Sequence, residues 1–514
     1  MKGAPKKIVP SILSVSVACA LLAATPLHAQ CDLTPTTVQP GGSDGPVRAI
    51  SFSASGDAIV AGSFTNIDGV AVSNIARFDG TTVHAMGAGL TGQPPWAILP
   101  PNPTANALTH LANGDLVVAG QFVTAGSTVC NSIARWDGSN WSAMGTGVDY
   151  YVWSLHTMRN GDLIVGGAFT TIDGVLVNGI ARWDGSSWSS MGGAAGGLFG
   201  PAIFDMASAP NGDLVVVGSF TSIGGVPANG VARWNGSSWS AFGTKLIGPL
   251  LGDGDVEVLA NGDVVVSGVL ALNGVTTFLA LWDGSNWTSI DSAGELWPRA
   301  LLAMPNGDLI THGQYQVGGA PTPLGRFDGS SWSPLAGVAD GPVLTIARDA
   351  HGRLMFGGTF TTAAGVAEPN LVQLQTTCLA DVHAFGPWCS SSGGGNDLAA
   401  MTTPWVGATF RAEATGLPNF GFAAAITGFG STCEFLNSLL PLADSQCFLL
   451  VEPDFFELGV IQSGMFETEI EVPNIPSAAG LTVFHQVLPF ETTAQGAWVT
   501  TTATNALELT LGHF

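Results

Sequence analysis

The feature that most constrains the fold is a unit of about 50 residues that recurs seven times along the chain. A typical copy has an apolar run, an Asn-Gly-Asp turn, a second apolar run ending in small residues, and a phrase close to Ile-Ala-Arg-Trp-Asp-Gly-Ser-x-Trp-Ser. Successive turns are 58, 47, 51, 50, 45 and 45 residues apart. The turn residues are Asp57, Asp115, Asp162, Asp213, Asp263, Asp308 and, in the seventh copy, Arg353.

Each complete copy contains four strand-like runs, which is the content of one β-propeller blade. The pairs Asn160-Gly161 and Asp184-Gly185 suit tight hairpins, because Asn, Asp and Gly tolerate positive φ. No copy shows a sustained helical period. The sequence therefore predicts an all-β fold with a seven-bladed β-propeller over residues 31–378. The four runs of the third copy are Val152–Met158, Asp162–Thr170, Gly179–Trp183 and Trp188–Met191.

Two side chains recur beside the turn between the third and fourth runs. A tryptophan pair flanks this turn, as at Trp183 and Trp188, and we expect the two rings to meet across the hairpin and fill the gap to the next blade. A ligand platform is the alternative for such a row of rings. The recurring arginine, as at Arg182, is expected to be a structural partner of a carboxylate or carbonyl group.

The phrase from Gly166 to Trp188 resembles the delta-sixty repeats of bacterial surface proteins and the propeller of fungal cortical cell-polarity markers. Small pairs such as Gly166-Gly167 and Gly357-Gly358, followed by Trp, also resemble Kelch blades and the propeller of galactose oxidase. The resemblance covers roughly Gly41 to Thr377 and implies a propeller, without implying an activity.

The repeat stops near Thr377, and the rest of the chain has a different pattern. We expect a flexible linker over residues 379–397, because this segment contains the stretch Ser-Ser-Ser-Gly-Gly-Gly-Asn-Asp. Short β runs separated by turn signals predict a β-sandwich over residues 398–514. This region resembles the module that follows such propellers in secreted bacterial proteins, many of them from planctomycetes.

The N-terminus has the pattern of a signal peptide over residues 1–29. Lys2, Lys6 and Lys7 precede an apolar run that is shorter than a membrane span, and Ala29 suits signal peptidase. Cleavage there leaves 12 basic residues against 38 acidic ones, hence a formal charge of −26. This charge disfavours nucleic acid and anionic lipid as partners. The sequence predicts a protein that is secreted to the medium, cell surface or periplasm, without a membrane span.

Six cysteines remain after cleavage, an even number that suggests disulfides in an exported chain. The seventh copy lacks its fourth run, and Leu33–Val38 stands where it could supply that strand and close the ring. Such pairing would place Cys31 beside Cys378, so we predict a bond between them, with a Cys378–Cys389 bond as the competitor. Cys433 and Cys447 are predicted to pair, which leaves Cys130 and Cys389 without an assigned partner.

Few residues suggest a ligand site. Trp96 lies on a Pro-rich insertion, Thr91–Asn106, and is a candidate ligand contact, although it could equally cover an apolar gap. Asp253 and Asp255 flank a glycine in a turn and are candidate calcium ligands, with an exposed acidic turn as the alternative.

No catalytic constellation is recognisable in the sequence. HExxH and Gly-x-Ser-x-Gly motifs are missing, and none of the three tyrosines is near a cysteine in the sequence, as copper-radical chemistry would need. The sequence predicts no cofactor, except for the calcium considered above. It favours a monomeric, non-catalytic protein that binds an extracellular protein or glycan. The alternative is an extracellular propeller enzyme: a carbohydrate-active hydrolase or lyase, or an oxidase.

Overall fold

The computed structural model describes residues 33–35, 41–97, 103–197, 200–243, 254–259, 261–291, 300–304, 307–317, 320–335, 339–349, 353–363, 367–376, 380–387, 389–419, 421–440, 442–473, 478–493 and 497–512. The chain divides into two compact units. The repeat unit comprises Pro35–Asp349 and Arg353–Leu374, and the C-terminal unit comprises Gln375–Phe514 with Met1–Thr34 and Ala350–Gly352. The proposed signal peptide, Cys31, Cys378 and Asp253 lie outside the described residues.

The described residues form seven four-stranded sheets, one for each copy of the repeat. Sheets 1 to 4 consist of Val47–Phe52, Ala58–Gly62, Ile75–Phe78 and Val83–Ala85; Thr104–His110, Leu116–Gln121, Ile133–Trp136 and Trp141–Ala143; Val152–Thr157, Leu163–Gly167, Ile180–Trp183 and Trp188–Ser190; and Ala202–Ser208, Leu214–Ser219, Val231–Trp234 and Trp239–Ala241. Sheets 5 to 7 consist of Val256–Val258, Val264–Leu272, Val275–Trp282 and Trp287–Ser289; Leu301–Ala303, Leu309–Val317, Ala320–Phe327 and Trp332–Pro334; and Val343–Arg348, Leu354–Gly358, Leu371–Thr376 and Leu33–Pro35.

The repeat unit also contains smaller sheets of two or three short strands. They consist of Asn66–Ile67 with Val70–Ala71; Leu90–Thr91, Thr124–Ala125 and Thr128–Val129; Thr171–Ile172 with Val175–Leu176; and Ala194–Ala195, Ser222–Ile223 and Val226–Pro227.

The local signals in the sequence place the strands of each sheet correctly. In sheet 3 the hairpin glycines Gly161 and Gly185 have φ of +88° and +97°, a conformation that residues with a Cβ rarely adopt. Every residue of the second strand, Leu163–Gly167, is buried. This burial explains why the second run of each copy is apolar at successive positions rather than at alternate ones.

The recurring tryptophans pack as core residues. The ring centroids of Trp183 and Trp188 are 5.0 Å apart across the hairpin, and Trp188 Nε1 donates a hydrogen bond to the carbonyl of Met144 at 3.1 Å. Because Met144 follows sheet 2, the ring joins its own sheet to the preceding one, not to the following one. The equivalent bonds run from Trp141 to Met86, Trp239 to Met191, Trp287 to Phe242 and Trp332 to Ile290.

The recurring arginine pairs with the turn aspartate of its own copy, as expected for a structural partner. Arg182 Nε lies 2.7 Å from Asp162 Oδ2, and the guanidinium is about two-fifths exposed. Such half-exposed pairs add little stability, so their main effect is to fix the turn. The other pairs are Arg77–Asp57, Arg135–Asp115, Arg233–Asp213 and Arg326–Asp308.

The seven sheets follow one another in a closed circle. The first strand of each sheet contacts the first strand of the next sheet, and the first strand of sheet 7 contacts that of sheet 1. In sheet 7 the outermost strand is Leu33–Pro35, which pairs with Leu371–Thr376. The N-terminal end of the chain therefore completes the seventh sheet, as the sequence predicted.

The C-terminal unit is built from two main sheets with a shared core. The large sheet has the order Asp381–Phe385, Ala506–Thr510, Thr482–Thr492, Gly421–Gly428 and Phe455–Val460, with Trp498–Thr501 also paired to Thr482–Thr492. The small sheet contains Asp397–Ala400, Thr409–Thr415 and Phe466–Glu471. Two hairpins, Ser390–Ser391 with Gly394–Gly395 and Ser431–Phe435 with Phe448–Val451, and a short 3₁₀ helix, Leu436–Ser438, complete it. Phe410 of the small sheet and Val487 of the large sheet lie in the common core. No helix in the described part of the chain is long and apolar enough to cross a membrane.

The linker expected over residues 379–397 is wrong. Asp381–Phe385 is a strand of the large sheet, and the serine- and glycine-rich stretch forms a hairpin. A Cβ on Gly393 would lie 1.8 Å from the carbonyl oxygen of Leu417. The glycines are therefore needed for close backbone packing rather than for flexibility.

The predicted Cys433–Cys447 disulfide is also wrong, because Cys447 pairs with Cys389, with the Cα atoms 5.7 Å apart. Cys433 lies within an irregularity of its hairpin and is exposed, whereas Cys447 is buried in the core that Cys389 borders. This pairing also removes Cys389 as a partner for Cys378, so the Cys31–Cys378 bond stays a prediction. Cys130 is buried with a free thiol, and burial raises the pKa of that thiol to about 12.

Candidate functional site

Trp96 is part of a continuous row of aromatic rings in the repeat unit. Its ring centroid lies 5.0 Å from that of Tyr150 and 4.7 Å from that of Tyr151. Tyr151 stacks on Trp153 at 6.1 Å, and Trp153 contacts Phe204 at 5.3 Å. We call these five residues the aromatic row. Tyr150 is 40% exposed, and the other four rings are half-buried, so the row presents accessible ring surface.

Local backbone geometry explains how the row is assembled. The Trp96 loop is held by a hydrogen bond from Gln93 Nε2 to the carbonyl of Ala97 at 2.8 Å. Trp153 and Phe204 occupy β-bulges in the first strands of sheets 3 and 4. A bulge removes a residue from the ladder and re-aims its side chain. Two rings from neighbouring sheets can therefore meet there instead of alternating in and out of the sheets.

A belt of polar side chains follows the aromatic row along the same first strands. Ser154, Asp205 and Asp255 hold the same position in three successive copies, eight residues before the turn aspartate. Ser154 Oγ donates to Asp205 Oδ1 at 3.1 Å, and the N–H of Val256 donates to Asp205 Oδ2 at 3.1 Å. The N–H of Leu301 donates to Asp255 Oδ2 at 2.7 Å. These hydrogen bonds connect sheets 3, 4, 5 and 6.

The carboxyl groups of this belt are crowded. Burial, followed by the charge of Asp205, raises the pKa of Asp255 well above its ordinary value. The same two causes raise the pKa of Glu257 to about 8, and the positive charge of Arg348 in sheet 7 offsets part of that rise. Both groups keep some accessible surface, but protein atoms surround them on most sides. At neutral pH the Glu257 carboxyl group therefore holds a proton that it would lose in water.

A histidine and a serine form a second cross-sheet contact in the belt. His156 Nε2 lies 2.6 Å from Ser208 Oγ, and burial lowers the pKa of His156. Thr109 and Thr157 make the equivalent contact between sheets 2 and 3, with their hydroxyl oxygens 3.2 Å apart. His156 and Thr109 each precede the turn aspartate of their copy by six residues, and Ser208 and Thr157 each precede theirs by five. The two contacts therefore occupy the same position between neighbouring sheets and help to join them.

Of the two candidate calcium ligands, only Asp255 lies among the described residues. Asp255 accepts the N–H groups of Val256 and Leu301, and its own N–H donates to Ser267 Oγ at 3.0 Å. Within the described ranges, no group of three or more His, Cys, Asp or Glu side chains could hold a metal ion. The expectation of an exposed acidic turn is wrong for Asp255, because its carboxyl group joins sheets 5 and 6.

Sequence reasoning found Trp96 but missed the other members of the site. Tyr150, Tyr151, Trp153, Phe204 and Asp205 belong to no motif. A signal was nevertheless present in an alignment of the seven copies. Trp153 and Phe204 stand nine residues before the turn, where the other copies have Arg, Asn, Gly or Leu. Asp205 and Asp255 stand eight residues before it, where the other copies have Ala, Ser or Thr.

Comparison with known protein families indicates a β-propeller fold. A family described as "Domain of unknown function (DUF5122) beta-propeller" matches residues 56–80 and 209–237. No curated protein matches this chain.

Several solved structures are similar at low sequence identity. A gluconolactonase from Xanthomonas campestris is 14% identical, with 66% of this chain and 97% of that chain covered and a TM-score of 0.34. An ulvan lyase, a polysaccharide lyase, is 12% identical, covering 65% and 94% with a TM-score of 0.39. YCF48 from Cyanidioschyzon merolae is 12% identical, covering 68% and 99% with a TM-score of 0.39.

The two matched segments each run from a Gly-Asp turn region into the third strand of a sheet, which is the core of the repeat. This family match and the all-β structure support a β-propeller fold for the repeat unit.

Proposed function

We propose that the chain is a secreted, non-catalytic protein that binds a glycan at the aromatic row. In this proposal the seven sheets are the blades of a seven-bladed propeller, and the C-terminal unit is a β-sandwich. The closed circle of first strands supports seven blades. The signal-peptide pattern and the Cys389–Cys447 disulfide support secretion.

The observation that carries the proposal is the contact of five aromatic rings beside a belt of polar groups. Ligand sites are typically lined by aromatic side chains with a few polar groups that fix orientation. Flat rings such as those of Trp96 and Tyr151 can stack on the apolar faces of sugar rings. The hydroxyl group of Tyr150 and the carboxyl groups of the belt can hydrogen-bond to sugar hydroxyls.

Electrostatics selects among glycans. The mature chain carries a formal charge of −26. A sulfated or uronic-acid polysaccharide would be repelled. The proposed ligand class is therefore a neutral polysaccharide or oligosaccharide.

Affinity electrophoresis and calorimetry against a panel of neutral and anionic polysaccharides test this proposal. We expect binding to at least one neutral member, and Trp96→Ala and Tyr151→Ala should each weaken it at least tenfold, about 1.4 kcal/mol. Trp498→Ala is the matched control, because Trp498 is an accessible tryptophan, 40% exposed, that lies in the C-terminal unit. Binding to no neutral glycan, or an equal loss in the Trp498 variant, would contradict the proposal.

The His156–Ser208 contact favours a second candidate, an extracellular hydrolase with Ser208 as nucleophile and His156 as base. The equivalent Thr109–Thr157 contact contains no histidine and favours a structural role for the His156–Ser208 contact instead. The Ser208→Ala variant separates the two: hydrolysis of a glycan or ester that this variant loses, with an unchanged melting temperature, would establish the enzyme.

A further inference from the structure

The C-terminal unit leaves an apolar strand uncovered at one border of its large sheet. Phe455–Val460 is the last strand in the order of that sheet. Its alternate residues Phe456, Leu458 and Val460 are 65%, 65% and 61% exposed. Alternate residues of a strand share one face, so the three side chains form a stripe.

This stripe continues a face that is buried elsewhere in the same sheet. Val460 pairs with Phe422 on the neighbouring strand, and Phe422 is 52% exposed. Further along that strand, Ala424 and Ile426 are buried in a cluster with Leu449 of the Ser431–Val451 segment. We call Phe422, Phe456, Leu458 and Val460 the apolar edge. The Ser431–Val451 segment covers Ala424 and Ile426 on this face of the sheet but leaves the apolar edge exposed. Exposed apolar patches of this kind mark interaction surfaces.

The strand also has backbone groups available for another strand. The N–H of Ile461 donates to the carbonyl of Gly421, which directs the backbone groups of residue 461 toward the inner neighbour. Because the hydrogen-bonding direction alternates along an antiparallel strand, residues 455, 457 and 459 also face that neighbour. The N–H and C=O groups of residues 456, 458 and 460 therefore face outward.

We propose that the apolar edge pairs with the same edge of a second copy of this chain, antiparallel, with the two-fold axis at Leu458. In this register Leu458 lies opposite Leu458 of the second copy, and Phe456 lies opposite Val460. All three pairs are of the hydrogen-bonded type, because these are the residues whose backbone groups face outward.

The charge pattern of the strand selects this register. Glu457 is the strand's one charged residue, and the axis at Leu458 places it opposite Gly459 of the second copy. An axis at residue 457 would place Glu457 opposite itself, and like charges directly opposite are destabilising. The strand is thus self-complementary. Its apolar residues at positions 456, 458 and 460 lie opposite one another, and its carboxylate lies opposite a glycine.

The size of the surface indicates a weak, reversible dimer. The four side chains of the apolar edge expose roughly 100 Å² each, judged against the ~150–250 Å² that an aromatic side chain buries. With both copies and the strand backbone, the contact reaches about 1,000 Å², the lower bound for a specific interface. The large negative charge of each copy opposes association, so added salt should strengthen it. At low concentration the chain is then the monomer that the sequence analysis expected.

Analytical ultracentrifugation of the mature chain from about 5 to 200 µM, at 0.05 and 0.5 M NaCl, tests the association. We expect a dimer whose dissociation constant falls at the higher salt concentration. Leu458→Lys should weaken it at least tenfold, because it places two ammonium groups opposite each other. Val275→Lys is the matched control, since Val275 is 68% exposed on a strand of the repeat unit.

A crosslinking experiment locates the contact. In a Cys433→Ser background, which removes the exposed free thiol, Leu458→Cys should form an intermolecular disulfide under mild oxidation, because Cα atoms in a hydrogen-bonded antiparallel pair are ~5.5 Å apart. Val275→Cys should not. A chain that stays monomeric at every concentration and salt overturns the proposal. A dimer that tolerates Leu458→Lys, or that does not crosslink at residue 458, overturns it as well.

Discussion

Replacement of Trp188 by phenylalanine tests whether the recurring tryptophans hold neighbouring sheets together. Trp188 is 7% exposed and donates its indole N–H to the carbonyl of Met144 at 3.1 Å. Phenylalanine cannot donate, so the buried carbonyl loses its partner at a cost of about 1–3 kcal/mol. The smaller ring also buries less apolar surface, which costs about another 1 kcal/mol. We expect the free energy of unfolding to fall by about 2–4 kcal/mol.

Urea unfolding followed by tryptophan fluorescence measures this loss, because 12 of the 15 tryptophans precede residue 350 and report mainly on the repeat unit. Trp183→Phe is the matched control. Trp183 is the other ring of the same pair, but it is half-buried, and its replacement should cost less than about 1 kcal/mol. Equal losses in the two variants, or a loss below about 0.5 kcal/mol for Trp188→Phe, would refute a role of the indole hydrogen bond in joining the sheets.

Three further predictions concern the stability of each unit. Removing the Cys389–Cys447 bond should lower the free energy of unfolding of the C-terminal unit by about 4 kcal/mol, because the bond closes a loop of 58 residues and so restricts the unfolded chain. It should therefore lower the melting temperature, whereas Cys433→Ser, which removes an exposed free thiol, should leave the melting temperature unchanged. Burial lowers the pKa of His485 to about 4, so as the pH falls the histidine is protonated in the unfolded chain before it is protonated in the folded one. The stability of the C-terminal unit should therefore be full above pH ~6.5 and should fall as the pH drops from there to about 4. A His485→Asn variant that kept this pH dependence would disprove the assignment to His485. Burial raises the pKa of Glu257 to about 8, so its contribution to stability is full below pH ~4.5 and is lost as the pH rises from there to about 8. Glu257→Gln should flatten the melting-temperature profile between these two pH values, and an unchanged slope there would show that Glu257 does not titrate in that range.

In the repeat unit, the sequence alone determined the strands and their order. Tight-turn pairs such as Asn160-Gly161 and the run Leu163–Gly167 carry their structural meaning within a few residues, because turn chemistry and strand burial are local. Repetition then amplified these signals, since seven copies of one pattern must form seven similar sheets. Even the completion of sheet 7 by Leu33–Pro35 followed from counting runs, because the seventh copy is one run short.

Only the tertiary structure decided which non-repeating side chains meet. The aromatic row joins Trp96, Tyr150 and Phe204, which are up to 108 residues apart, through bulges that the strand pattern does not reveal. The partner of Cys447 and the tight approach of Gly393 to Leu417 likewise depend on how strands from distant parts of the chain are ordered in sheets. Local patterns specify each strand and its turn, whereas contacts across sheets depend on the packing of the whole unit, which no single segment encodes.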